Sequence, residues 1–144
     1  MRKVESTIVV NVPPAKVIRA FIDAGMLRAW WSVERALVEP KVGGVYTLAW
    51  GVSEKGFGYV STGVIKSYDP ESTLVVDNLV YMNPERPLFG PMSLTVKATK
   101  SGTGTEVYLC QDGYQQGADW DWYYEAVTHA WPEVLKNLKS YIEK

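Results

Sequence analysis

Charge of one sign is missing from this sequence. Fifteen Lys and Arg stand against sixteen Asp and Glu in 144 residues, a formal net charge of −1. Such a balance offers no electrostatic footprint for nucleic acid or for an anionic membrane surface. Thiols are nearly missing as well. Lone Cys110 excludes an intrachain disulfide framework and any multi-thiolate zinc site. Lone His129 leaves little material for a Ser-His-Asp arrangement or an imidazole-rich metal centre. No apolar run approaches the ~18 residues of a membrane span. A basic-then-apolar leader is also lacking, because Glu5, Ser6 and Thr7 interrupt the first apolar stretch. Repeats, low-complexity tracts and linkers are absent. The expectation is a cytoplasmic protein with one domain over residues 1–144.

Aromatic residues are what the sequence has in excess, with six Trp and nine Tyr. Such rings fill cores, and they also line pockets. The alternation of Val4, Ile8 and Val10 with Glu5, Thr7 and Asn11 predicts a strand that Pro13 and Pro14 end. Val17, Ile18, Phe21 and Ile22 then repeat at helical spacing up to Gly25, which is read as a break. Leu27, Trp30 and Trp31 suggest a second short helix. After Pro40 the texture changes to turns and alternation. Strands are expected around Tyr46–Trp50, from Phe57 to Tyr68 with a bulge near Gly63, over Thr73–Met82, from Met92 to Thr99, and over Val107–Gln111. Asn83–Pro91, with three prolines, reads as a loop, and Ser101-Gly102-Thr103-Gly104 as a hairpin turn. In the last segment, Trp120, Tyr123, Tyr124, Val127, Trp131, Val134, Leu135, Leu138, Tyr141 and Ile142 fall on one helical face. Pro132 inside that helix should kink it near Thr128 or His129. An antiparallel sheet must cover its apolar face, and only this helix is long enough to do so. The fold class that follows is α+β: a curved antiparallel sheet gripping a long C-terminal helix, with two short helices after the first strand.

The order of these pieces carries a resemblance. Strand, proline pair, short helix and Trp30-Trp31 look like the opening of helix-grip proteins of the START and birch-pollen-allergen-like superfamily, also called SRPBCC. Val42-Gly43-Gly44-Val45-Tyr46-Thr47-Leu48 and Gly63-Val64-Ile65 up to Asp69-Pro70 resemble its AHSA branch. That branch is named for homology to the C-terminal domain of the activator of the heat-shock-protein-90 ATPase. Gly104-Thr105-Glu106-Val107-Tyr108-Leu109 and Ala130-Trp131-Pro132-Glu133-Val134-Leu135 fit the same pattern. Two departures stand out: Ala130 where the branch often has Gly, and Gln111 where a His is common. The resemblance implies a sheet of about seven strands around the long helix and a cavity between them. It also implies binding of lipids, steroids, polyketides or other apolar compounds, with catalysis in a minority of members.

Candidate site residues follow from the strand and helix phases. Tyr46, Trp50, Leu94, Leu109 and Gln111 should face the long helix, and Trp120, Tyr123, Tyr124 and Val127 should face them. Trp30, Trp31 and the Asn83–Pro91 loop should close one end. Gln111 is either satisfied by backbone or water, or it is a polar anchor for a ligand. Tyr46, Trp50, Tyr123 and Tyr124 would then offer further donors around it. His129 falls on the polar side of the helix, roughly opposite Trp120 and Trp131. Trp122 falls there too, either touching a loop or exposed. Cys110 belongs to the outer sheet face as an inert thiol. Asp119, Asp121 and Glu125 complement the helix dipole at its N-terminus. No catalytic residue, metal ligand or cofactor is assigned.

The leading functional expectation is a binder of a small apolar or aromatic molecule, without covalent chemistry. A chaperone-associated interaction domain is the alternative, with a protein partner or a homodimer. Activation of the chaperone ATPase by this chain alone is not expected, because the eukaryotic activator carries a separate preceding domain. A cyclase- or hydrolase-like enzyme using pocket tyrosines and carboxylates is the third reading.

Overall fold

Apolar side chains at alternate positions give the first strand, β1 (Lys3–Val10), in a computed structural model that describes residues 2–144. Val4 and Val10 are buried while Lys3, Glu5 and Thr7 are exposed. Pro14 then opens helix α1 (Pro14–Ala20), at a position where a missing N–H is tolerated. Helix α2 (Ala24–Trp31) starts at Asp23, whose carboxylate accepts the Met26 N–H at 2.9 Å. Gly25 therefore lies in the first turn of α2 and does not break the preceding helix. The separation comes from Phe21 to Asp23, where Asp23 caps the new helix.

Six strands follow: β2 (Arg35–Val38), β3 (Val45–Trp50), β4 (Tyr59–Asp69), β5 (Thr73–Met82), β6 (Phe89–Ser101) and β7 (Gly104–Asp112). Their order in the single antiparallel sheet is β1-β7-β6-β5-β4-β3-β2. Successive hairpins build β2 to β7, and β1 adds to the far side of β7. The two short helices thus carry the chain from one edge of the sheet to the other. Strand β2 was not foreseen, because four residues give too short an alternation to register. The 83–91 loop ends earlier than its prolines suggest, since β6 already pairs with β5 at Phe89 opposite Tyr81. The bulge expected near Gly63 is present, with the register shifting between Thr62 and Val64. A Cβ at Gly63 would lie 2.7 Å from Val76 Cγ1 and 2.8 Å from the Asp77 carbonyl oxygen, so the strands approach there too closely for a side chain.

Helix α3 (Ala118–Ile142) lies along the inner face of the sheet and runs continuously through Pro132. Tyr123, Val127, Trp131, Leu135, Leu138 and Ile142 are its buried positions. Around its C-terminal half the core is dense, with Ile18, Phe21, Leu27, Leu74, Leu109, Leu135 and Leu138 all inaccessible to solvent or nearly so. Around its N-terminal half the sheet and helix stand apart.

Candidate functional site

The gap between sheet and α3 is a cavity of about 320 Å³. Alternate residues of β3 and β4 supply one wall: Tyr46, Leu48 and Trp50, then Tyr59 and Ser61. Leu79 and Tyr81 of β5, Leu94 of β6 and Gln111 of β7 form the floor. Two stripes of α3 complete the enclosure. Tyr123, Val127 and Trp131 belong to the buried stripe. Trp122, Ala126, Ala130 and Val134, each four residues apart, form the second stripe along the mouth. Ala126 and Ala130 are exposed, and their small side chains leave the mouth open.

Among the described residues, no Asp, Glu, Lys, Arg or His lines this space. Its deep polar atoms are already engaged with protein. The Gln111 amide is buried; its Nε2 donates to the Tyr123 hydroxyl at 3.1 Å and contacts Met92 Sδ at 3.4 Å. Its Oε1 accepts from Trp131 Nε1 at 2.9 Å. The Tyr46 hydroxyl donates to the Phe21 carbonyl at 2.7 Å, and Trp50 Nε1 to the Trp31 carbonyl at 3.0 Å. Gln111 is thus satisfied mainly by side chains of α3, and of the expected donors around it Tyr46 and Trp50 are spent on backbone carbonyls. Burial pushes the Tyr46 and Tyr123 hydroxyls well above the ordinary tyrosine range, so both stay protonated. Tyr81 is pushed up to about 12, first by burial and then by neighbouring Tyr59.

Tyr46, Trp50, Leu94, Gln111, Tyr123, Val127 and Trp31 border the cavity. Four other candidates do not. Trp30 lies one layer behind, stacked on Trp31 at 5.3 Å, with its Nε1 donating to the Ala20 carbonyl. Leu109 is wholly buried in the dense core. Trp120 packs edge-on against Phe89 at 5.1 Å. Tyr124 turns to β1, edge-on to Tyr114 at 5.1 Å, with Arg2 over its ring. The cause is helical phase: Trp120 and Tyr124 flank the buried stripe on the side away from the mouth. Trp122 flanks it on the other side, and assigning it to the polar face missed a cavity residue. The Arg86 guanidinium covers its ring at 3.8 Å, so the 83–88 loop reaches the mouth through Arg86, although none of its residues borders the cavity.

Leu48, Tyr59, Ser61, Leu79, Tyr81, Ala126, Ala130, Trp131 and Val134 were also not assigned to the cavity. The recurrence of small residues at positions 126 and 130 was the available signal for the mouth. His129 is exposed and does not border the cavity. Cys110, next to Leu109 in β7, is buried, and no group of three His, Cys, Asp or Glu side chains suited to a metal ion occurs among the described residues. Asp119 and Asp121 stand in the first turn of α3, and they also pair with Arg86 at 3.7 Å and Arg2 at 2.7 Å. No helix of the described residues is long and apolar enough to cross a membrane.

Solved structures repeat this architecture over the whole chain. A crystal structure of a Mesorhizobium loti protein is 20% identical, with a TM-score of 0.76 over 96% of this chain and 95% of that one. A Chromobacterium violaceum protein is 19% identical, with a TM-score of 0.76 over 100% and 99% of the two chains. The Aha1 dimer from Colwellia psychrerythraea is 15% identical, with a TM-score of 0.76 over 99% and 97%. These likenesses establish the helix-grip fold. No curated protein matches the sequence. The family model described as activator of Hsp90 ATPase homolog 1-like protein matches residues 11–143, nearly the whole chain. A Hsp90-ATPase-activator-like domain of the helix-grip fold, a fold of ligand-binding and interaction domains, is what these residues build, and the chain belongs to that family.

Proposed function

We propose that this protein binds a small apolar or aromatic molecule between the sheet and α3, without covalent chemistry. One observation carries the reading. The cavity is bounded by aromatic and aliphatic side chains, and its deep polar atoms are hydrogen-bonded to protein. A ligand buried there meets surfaces suited to dispersion and ring stacking, and no charge to neutralise. About 320 Å³ is at the small end of the ~300–1,000 Å³ of ligand pockets. Tyr59, 46% exposed, and half-buried Ser61 and Tyr81 bring hydroxyls to the lining, where they can meet a ligand's polar end. The binding assay is a panel of fatty acids, steroids and aromatic polyketides in native mass spectrometry, followed by tryptophan fluorescence. Binding should quench or shift the emission of Trp31, Trp50 and Trp131. Ala130→Leu narrows the mouth at an exposed position and should weaken binding about tenfold or more, the effect of losing roughly 1.4 kcal/mol, with the circular dichroism unchanged. No binding across the panel, or binding unaffected by this substitution, counts against the site.

A protein-interaction role is the second reading, favoured by the family and by Trp122, 37% exposed beneath Arg86 at the cavity mouth. A coupled ATPase assay with purified chaperone separates it from the first reading. Saturable stimulation by this chain alone would promote it.

A further inference from the structure

We propose that the free edge of β2 pairs antiparallel with β2 of a second copy of this chain, joining the two sheets across a two-fold axis. The two edges of the sheet are treated differently. At β1, α3 supplies partners for backbone groups: Lys139 Nζ donates to the Val9 carbonyl at 2.8 Å, and Glu143 Oε2 accepts the Asn11 N–H at 2.8 Å. At β2 the cover among the described residues stops at the residue before the strand, where Arg28 Nη2 of α2 donates to the Glu34 carbonyl at 3.1 Å. The ladder bond from the Glu39 N–H to the Val45 carbonyl, 3.0 Å, sets the parity of the strand. Arg35, Leu37 and Glu39 turn their backbone groups toward β3, opposite Ala49, Thr47 and Val45. Ala36 and Val38 therefore turn theirs outward, and no hydrogen bond among the described residues engages them there.

The sequence Arg35-Ala36-Leu37-Val38-Glu39 is complementary to itself when reversed. With Leu37 on the two-fold axis, Ala36 of each copy faces Val38 of the other. Those are the residues with free N–H and carbonyl groups, so both facing pairs exchange two bonds and four bonds form. Leu37 meets Leu37 of the partner subunit at the close, non-hydrogen-bonded position. Arg35 faces Glu39 of the partner subunit, twice, on the same outer face as Leu37. On the inner face Ala36 and Val38, both half-buried against the core, stay matched with each other. Leu37 is 67% exposed in the single chain; Thr47 stands opposite it in β3, and Val45, two residues along and paired with Val64 of β4, is 43% exposed. Pairing covers Leu37 with its own copy. Registers that centre on Ala36 or Val38 instead set Arg35 opposite Leu37 or Lys41 and forfeit both Arg–Glu pairs.

Four backbone bonds and one leucine pair make a small interface, so the dimer belongs to the weak class and forms at high concentration. Sedimentation velocity of the full chain from micromolar to about millimolar protein should show a reversible monomer–dimer equilibrium. Arg35→Glu and Glu39→Arg each set like charges opposite one another at two places, and each should weaken dimerisation about tenfold. The double variant restores both pairs and should restore the dimer. An equimolar mixture of the two single variants should form heterodimers in native mass spectrometry in preference to either homodimer. Hydrogen exchange at the Ala36 and Val38 amides should slow as protein concentration rises. Arg35 and Glu39 are exposed, so circular dichroism should be the same in every variant. A monomer over the whole concentration range overturns the proposal. So does a dimer that ignores both single charge reversals and leaves the Ala36 and Val38 amides unprotected.

Discussion

Gln111 ties β7 to α3 through a single amide. Its donor and acceptor reach Tyr123 and Trp131, and its backbone belongs to β7. Replacing it by leucine strands the Trp131 indole N–H in a buried place. Gln111→Leu should therefore lower stability by about 1–3 kcal/mol in urea denaturation, the usual penalty for an unpaired buried donor. A change below about 0.5 kcal/mol would mean that the indole finds another partner. The inward direction of Gln111 was legible from the alternation of Val107, Leu109 and Gln111. Its partners were not, because Trp131 lies 20 residues away in sequence and on a different element. The tyrosines set the alkaline limit. Burial raises Tyr46, Tyr114 and Tyr123 above the ordinary range and Tyr81 to about 12. Unfolding releases each toward a pKa of about 10. Below about pH 10 both states hold these protons, and the contribution is fully present. As pH climbs from about 10 through the folded-state values, the unfolded chain ionises first and stability falls. Tyrosinate absorbance and far-ultraviolet circular dichroism followed together above pH 10 should change in one cooperative step.

Two stripes of α3 do different work, and the periodicity separated them incompletely. The buried stripe from Tyr123 to Ile142 was legible because large apolar residues recur at spacings of three and four. Trp131 is its centre, 6% exposed and 5.1 Å from the ring of Trp31. Trp131→Ala should cost about 3–5 kcal/mol by calorimetry or denaturant, through lost burial and the cavity it leaves. The neighbouring stripe of Trp122, Ala126, Ala130 and Val134 was hidden, since alanines carry almost no hydropathy contrast. His129 occupies neither stripe. His129→Ala should leave ligand affinity within about twofold, well under the tenfold that accompanies ~1.4 kcal/mol. Among the strands, those longer than five residues announced themselves by alternation. Strand β2 did not, and the start of β6 was masked by Pro87 and Pro91.

At the scale of the molecule, the order of elements sufficed for the architecture, because a one-sided sheet and one long amphipathic helix have few ways to cover each other. The helix-grip resemblance implied the cavity's place between sheet and helix, while composition showed it only as an excess of aromatic residues. Which of them line it depends on how far the sheet curves, and no local pattern encodes that. The join between β1 and α3 responds to acid. Hydrogen bonds accepted from Lys139 Nζ and from the Asn11 N–H hold the Glu143 carboxyl below the usual range. The contribution is present above the ordinary glutamate range and is lost as pH falls through the lowered value. Exchange of the Asn11 amide should therefore quicken relative to its neighbours below about pH 4, near the intrinsic glutamate pKa.

The position of α3 in the chain has a consequence for synthesis. Every strand leaves the ribosome before the helix that covers the sheet has been made. Until residues 118–142 emerge, Leu48, Leu79, Leu94 and Leu109 have nothing to pack against from α3, and β1 lacks the ties that Lys139 and Glu143 provide at its edge. Nascent chains in this condition expose apolar surface and an unpaired strand, the features that recruit chaperones and promote aggregation. A chain stopped after Gly117 should pellet on translation, and supplying the α3 segment as a separate peptide during synthesis should return part of it to the supernatant.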